Sequence, residues 1–194
     1  MKKIVVEEYN PKWAHAFNEL KHAYLTHLEG NLRIEHVGST SVPGLAAKNI
    51  IDIDIVVKHK GEVTSLIGQL EELGYIHQGD LGIEGREAFK RSLVEAPLMY
   101  EHHSKWHPHH LYVCLEDSLA FKNHMALKDY LMAHEDAVKE YSELKIALAH
   151  KYPHDIDRYC SEKTPFITRI LKACGFSDDQ VAEITKANVD ELDK

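Results

Sequence analysis

Asp52 and Asp54 are the first residues whose types and spacing suggest chemistry. They sit in "IIDIDIVV", residues 50–57, as the two acids of an otherwise apolar run. Side chains on a strand alternate, so two acids two residues apart share a face, about 6–7 Å apart at Cα. Ile51, Ile53 and Ile55 fill the other face. Two carboxylates on one face of a buried strand repel each other and lose hydration, which is costly unless a cation or donor pairs with them. Magnesium meets that need: it is hard, prefers oxygen, and is usually held by one or two carboxylates plus substrate phosphates. Asp52 and Asp54 are therefore candidate catalytic residues and metal ligands.

A second feature lies just upstream in "HVGSTSVPGL", residues 36–45. Gly38 lets the backbone approach a ligand closely. The N–H groups of the following turn and the hydroxyls of Ser39, Thr40 and Ser41 can donate to phosphate oxygens. Such a turn facing an acid pair is a layout for phosphoryl or nucleotidyl transfer. "GREAFKR", residues 85–91, adds Arg86, Lys90 and Arg91, and arginine grips phosphate bidentately. "HHSKWHPHH" holds His102, His103, His107, His109 and His110, a composition from which a zinc site can be built. His36 adjoins the glycine turn. Lys145 and Lys163 are weaker candidates, because a lysine on a helix usually faces solvent.

These residues need elements to position them. "KIVVEEY" reads as a first strand. "NPKWAHAFNELKHAYLTHL" reads as a helix capped by Asn10 with Pro11 at its first position. "LRIEHV" and "NIIDIDIVVK" read as strands, the second central and covered on both faces. "EVTSLIGQLEELGY" reads as a helix ended by Gly74. A glycine-rich loop leads to a strand near 88–94, and another strand spans about 110–115. Helices follow: "SLAFKNHMALKDYLMAH", "EDAVKEYSELKIALAHKY", "KTPFITRILKACG" and "SDDQVAEITKANVDEL", the last capped by Ser177. In the second of these, Ala137, Val138, Tyr141, Leu144, Ile146 and Leu148 mark the inner face. The expected architecture is α/β (α+β): one mixed sheet flanked by helices, with residues 1–116 as its core and 117–194 as a helical extension of the same domain.

Composition narrows the function classes. The 194 residues carry a formal net charge of −8. Phe176 to Lys194 hold six acids and two lysines, so −4 of that charge sits in the tail. A long nucleic acid is an unsuitable partner for such a surface, whereas a small anion needs only a local basic pocket. The three cysteines, Cys114, Cys160 and Cys174, are widely spaced and read as reduced core thiols. The N-terminus has no signal-peptide core and no stretch approaches the ~20 apolar residues of a membrane span. A cytoplasmic protein without a membrane partner is expected.

Gly-Ser, twelve residues, then Asp-Ile-Asp resembles the signature of the nucleotidyltransferase superfamily, whose fold is polymerase-β-like. "IEHVGSTSVPGLAAKNIIDIDIVV" more closely resembles the core of the GrpB family, a branch of it. The likeness extends over nearly the whole chain, through "VEEYNPKWAHAF", "GREAFKR", "HHLYV", "FKNHMALKDYLMAHEDAVKEYSELKIALA" and "DIDRYCSEKTPFITRIL". It implies a nucleotidyltransferase-like mixed sheet, a phosphate-approach turn at Gly38 and Ser39, and metal-binding acids at Asp52 and Asp54. Active members of the superfamily usually carry a third acid on a later strand. Here "HHLYVCL" offers His110 and Tyr112, and no carboxylate before Glu116. His110 is then a third ligand or a base. A neutral imidazole is a poor magnesium ligand, so manganese or zinc is the alternative ion. The resemblance thus implies a protein that binds a metal and a nucleotide or other phosphate-bearing small molecule and transfers a nucleotidyl or phosphoryl group. Its alternative is a non-catalytic module of the same fold that binds a nucleotide or a partner protein.

Overall fold

The computed structural model describes residues 3–98 and 105–190. Its elements run α1 (Lys12–His27), β1 (Arg33–Val37), β2 (Ile51–Val57), α2 (Lys60–Glu72), β3 (Tyr75–His77), β4 (Arg86–Arg91), β5 (His109–Leu115), α3 (Leu119–Ala133), α4 (Glu135–Lys151), α5 (Ile156–Ser161), α6 (Thr164–Ala173) and α7 (Asp178–Asp190). The five strands form one mixed sheet in the order β1-β2-β5-β4-β3. Only the β2–β5 pair is parallel. The expected mixed α/β sheet with a helical second half is what the chain adopts.

The apolar run of β2 makes it a central strand, buried on both faces. Its isoleucine face packs on α1 and α2 through Phe17, Leu20, Tyr24, Leu66 and Leu70, with Leu111 and Val113 of β5 beside them. The acid-bearing face is covered by α3, whose Phe121 packs on Val56 and Cys114. The turn after β1 joins the helical half: Val42 and Leu45 are buried with Tyr141 of α4 and with Phe166 and Ile170 of α6.

Four expectations need correction. "KIVVEEY" pairs only through a bridge between Glu7 and Ala47. Ile4 packs instead with Leu148 and Tyr159 of the helical half, so side-chain burial and not a ladder fixes this segment. Second, β4 begins at Arg86, two residues earlier than expected, and a three-residue β3 follows α2 directly. Third, Ile146 is exposed on α4, and Lys145 occupies the inner position between Tyr141 and Leu148. Last, Cys114 is buried but Cys174 is exposed, so it is not a core thiol.

β5 is anchored by a buried polar network. His109 points to the isoleucine face, where its Nε2 lies 2.6 Å from the Tyr75 hydroxyl, itself 2.6 Å from that of Tyr24. His109 Nδ1 lies 2.8 Å from the His107 carbonyl, to which only an N–H can donate. Nε2 therefore accepts from Tyr75, and Tyr75 from Tyr24. Burial brings His109 down to about 3, so the ring stays neutral. This network sets the register that places His110, on the opposite face, beside Asp52.

Candidate functional site

The turn after β1 and the first acid of β2 are built against each other. Gly38 has φ 68° and ψ −171°, a conformation essentially reserved for glycine. A Cβ at this position would run into the Asp52 carboxylate. The chain then makes a single helical turn over Ser39–Ser41, closed by the Ser41 hydroxyl donating to the Gly38 carbonyl at 2.7 Å. Thr40 is buried beside His36, whose Nε2 is 2.9 Å from the Thr40 hydroxyl and whose ring stacks on Phe17. Burial brings His36 down to about 4, with Lys128 nearby adding to the effect. A neutral His36 thus supports the turn rather than meeting an anion.

Asp52 faces His110 across the parallel β2–β5 pair, with His110 Nδ1 2.8 Å from Asp52 Oδ1. Burial works against the charged carboxylate, but the His110 hydrogen bond and the positive charges of His110 and Lys48 outweigh it, and the Asp52 pKa is lowered. An ionised carboxylate only accepts, so Nδ1–H donates to it and Nε2 is left for another partner. The His110 side chain is about half exposed, so that nitrogen can meet a ligand.

Asp54 behaves differently. Its side chain is fully buried, and Oδ2 accepts from His124 Nδ1 on α3 at 2.7 Å. Burial opposes a charged His124, yet Asp54 beside it prevails and the imidazole pKa is raised. Oδ1 of Asp54 is buried and meets no hydrogen-bond donor among the described residues. Burial, with Asp54 adjoining, pushes the Cys114 thiol up. Arg86 lies on the same sheet face, buried, with its guanidinium 4.5 Å from the centre of the Tyr112 ring.

A cavity of about 200 Å³ opens at the Asp52 end of this face. Ser39, Thr40, Asp52 and His110 contribute to its wall, and Lys48, Lys145 and Lys163 bring three amines to it. Lys145 is 2% exposed, and its Nζ has no hydrogen-bond partner among the described residues. It lies over the Tyr141 ring, 4.4 Å from the centroid. Burial, and then repulsion from Lys163, bring Lys145 down to about 6. Lys163 is lowered too, again by burial first. Trp13 Nε1 donates to Asn49 Oδ1 at 2.7 Å, which ties down the residue after Lys48.

The structure therefore gathers Ser39, Thr40, Asp52 and His110 around one cavity and adds Lys145 and Lys163 to them, while Gly38, which backs Asp52, and the fully buried Asp54 are not part of its wall. Ser41 closes the turn and is not part of the wall. Arg86, Lys90 and Arg91 do not line the cavity, because β5 intervenes between β4 and β2. Lys90 is exposed, and Arg91 reaches the Val94 carbonyl. In the histidine-rich segment, His102 and His103 lie outside the described residues. His109 and His110 point to opposite faces of the sheet, so these two do not share a metal site. Among the described residues no three His, Cys, Asp or Glu side chains are grouped so as to hold a metal ion. The sequence reading missed Lys48, Tyr159 and His124. His124 had a signal: Phe121, His124, Lys128 and Leu131 keep helical spacing and share the inward stripe of α3.

Comparison with known proteins identifies the family of the chain. The family model described as GrpB protein matches residues 3–173. UPF0157 protein YqkA of Bacillus subtilis is 34% identical over 167 residues, covering 86% of this chain but 46% of that protein, so the chain spans about half of its length. Glutamate-rich protein GrpB of Alkalihalophilus pseudofirmus is 31% identical over 177 residues, covering 87% of this chain and 94% of that one. The crystal structure of conserved protein GrpB from Enterococcus faecalis superposes with a TM-score of 0.72 at 31% identity, covering 93% of this chain and 99% of that chain. With the family model spanning the sheet, the glycine turn and the lysine-bearing helices, the chain belongs to the GrpB family.

Proposed function

We propose that the Asp52 cavity binds the phosphates of a nucleotide or other phosphate-bearing small molecule. The observation that carries this is Lys145: a buried amine without a hydrogen-bond partner, at a cavity it shares with Lys48 and Lys163. Burying an unpartnered cation costs stability, and an anion entering the cavity returns that cost as binding energy. The hydroxyls of Ser39 and Thr40 and the N–H groups of their turn add neutral donors.

The residues also suit a magnesium or manganese ion brought in with the phosphates. The orphaned, buried Oδ1 of Asp54 and the partly exposed Asp52 carboxylate are hard oxygen donors two residues apart, and phosphate oxygens would complete their shell. Such an ion would neutralise charge on the phosphates. His110, oriented by Asp52, presents Nε2 as a base for an attacking hydroxyl. Nucleotidyl or phosphoryl transfer is the activity this geometry supports, in keeping with the nucleotidyltransferase-like sequence signature. A purely binding role is the second reading. It is favoured by the histidine partner on each acid and by the lack of a third clustered ligand among the described residues.

One experiment separates them. Nucleotide and metal binding are measured for the wild type and an Asp52→Asn, Asp54→Asn double variant, followed by a turnover assay. Turnover lost in the variant supports transfer. Metal-dependent binding without turnover for all four nucleotides supports the module. If neither ligand nor metal responds to the double substitution, the site is wrongly placed.

A further inference from the structure

The size and wall of the Asp52 cavity bear on what part of a ligand it can recognise. Its volume of about 200 Å³ is below the roughly 300–1,000 Å³ of pockets that enclose a whole small molecule. Its wall carries three lysine amines against one carboxylate. No Asn, Gln or Arg side chain belongs to that wall, so the paired donors and acceptors that match a base edge are missing from it. The His110 imidazole is held through Nδ1 by Asp52, and the other aromatic ring, Tyr159, is buried, with the amines of Lys163 and Lys48 at 4.5 and 5.9 Å from its centroid. Its face is not free to stack on a base. What the wall offers is cationic and hydroxylic, with the Lys145 amine unpartnered at its buried side.

We infer that the cavity reads a chain of phosphates and not a nucleobase, taking the terminal phosphates of a polyphosphate or a nucleoside triphosphate while the rest of the ligand lies outside. This rests on the phosphate reading of the same site and narrows its ligand class. Adenine, guanine, cytosine and uracil are then equivalent passengers, and inorganic tripolyphosphate is a sufficient ligand.

The test is calorimetric titration of the full chain, in the presence of magnesium, with tripolyphosphate, the four ribonucleoside triphosphates and adenosine. The expected result is that tripolyphosphate and all four nucleotides bind within about threefold of one another, and adenosine does not bind. Lys163→Ala weakens all five phosphate ligands by a common factor of roughly tenfold or more. Lys145→Met, which retains bulk at a buried position, does the same, and thermal melts verify that both variants are folded. One nucleotide binding roughly tenfold tighter than tripolyphosphate overturns the base-blind inference and leaves the phosphate reading standing. No binding of any phosphate ligand overturns both. Unchanged affinity in two folded variants places binding elsewhere and overturns the assignment to this cavity.

Discussion

Lys145 concentrates the trade between stability and function in one side chain. Its folded pKa of about 6 lies below the ordinary lysine value of 10.5, so between those values the unfolded chain binds more protons. Stability then rises with pH across that window. Lys145→Met removes the buried amine and is expected to stabilise the fold by about 1–3 kcal/mol near pH 6. The gap to wild type should narrow as pH rises toward 10, which denaturant melts at several pH values will show. Phosphate affinity should move the other way. The amine must be protonated to hold an anion, so wild-type affinity should fall as pH rises above about 6. Titrations at pH 6 and 8 read this directly. Lys163, Lys48, Asp52 and Tyr141 face the same amine, and Lys163→Ala should flatten the dependence by easing its repulsion. Gly38 is the other sensitive residue. Gly38→Ala places a Cβ against Asp52 at a backbone angle reserved for glycine, and is expected to cost about 1–3 kcal/mol. It should also shift the His110 imidazole resonances, because Asp52 cannot keep its position. Gly38 and the acid pair were legible in the sequence because residue type alone announces them. Lys145 stood only as a weaker candidate, since a helical lysine normally faces solvent. Hydrophobicity pointed to Ile146 as the inner residue, and only the packing of α4 on the glycine turn reverses the two.

Elements decide where these residues meet. The parallel pairing of β2 with β5 puts His110 opposite Asp52 and Tyr112 opposite Asp54. The Tyr24–Tyr75–His109 network holds β5 from the far face. Tyr75→Phe would leave Nε2 of His109 with a poorer donor in Tyr24, at 3.2 Å. A loss of about 1–3 kcal/mol is expected, measured by chemical denaturation, while phosphate affinity stays within about twofold of wild type. A large loss of affinity with unchanged stability would assign the network to the site instead. Long periodic elements such as α1 and the alternating β2 were readable from pattern. Short ones were not: β3 has three residues, too few for a period to emerge. "KIVVEEY" has strand composition but no partner strand to ladder with beyond one bridge among the described residues, so Ile4 and Val6 pack on the helical half.

At the scale of the whole molecule, the cavity belongs to both halves of the chain. Ser39, Thr40, Lys48, Asp52 and His110 come from the sheet region, and Lys145, Tyr159 and Lys163 from the helical region. Val42 and Leu45 of the turn are buried against α4 and α6, and no helix among the described residues is long and apolar enough to cross a membrane. The halves should therefore unfold together. Far-UV circular dichroism and tryptophan fluorescence are expected to give coincident denaturation curves. Two separated transitions would mean that the helical half is a unit of its own. The central claim is that three lysines from two halves make one phosphate site. It is tested most directly by titrating magnesium and ATP into wild type and Lys145→Met under identical conditions. A loss of affinity of roughly tenfold or more in a folded variant is the result the site predicts. Equal affinity in the two proteins would contradict it.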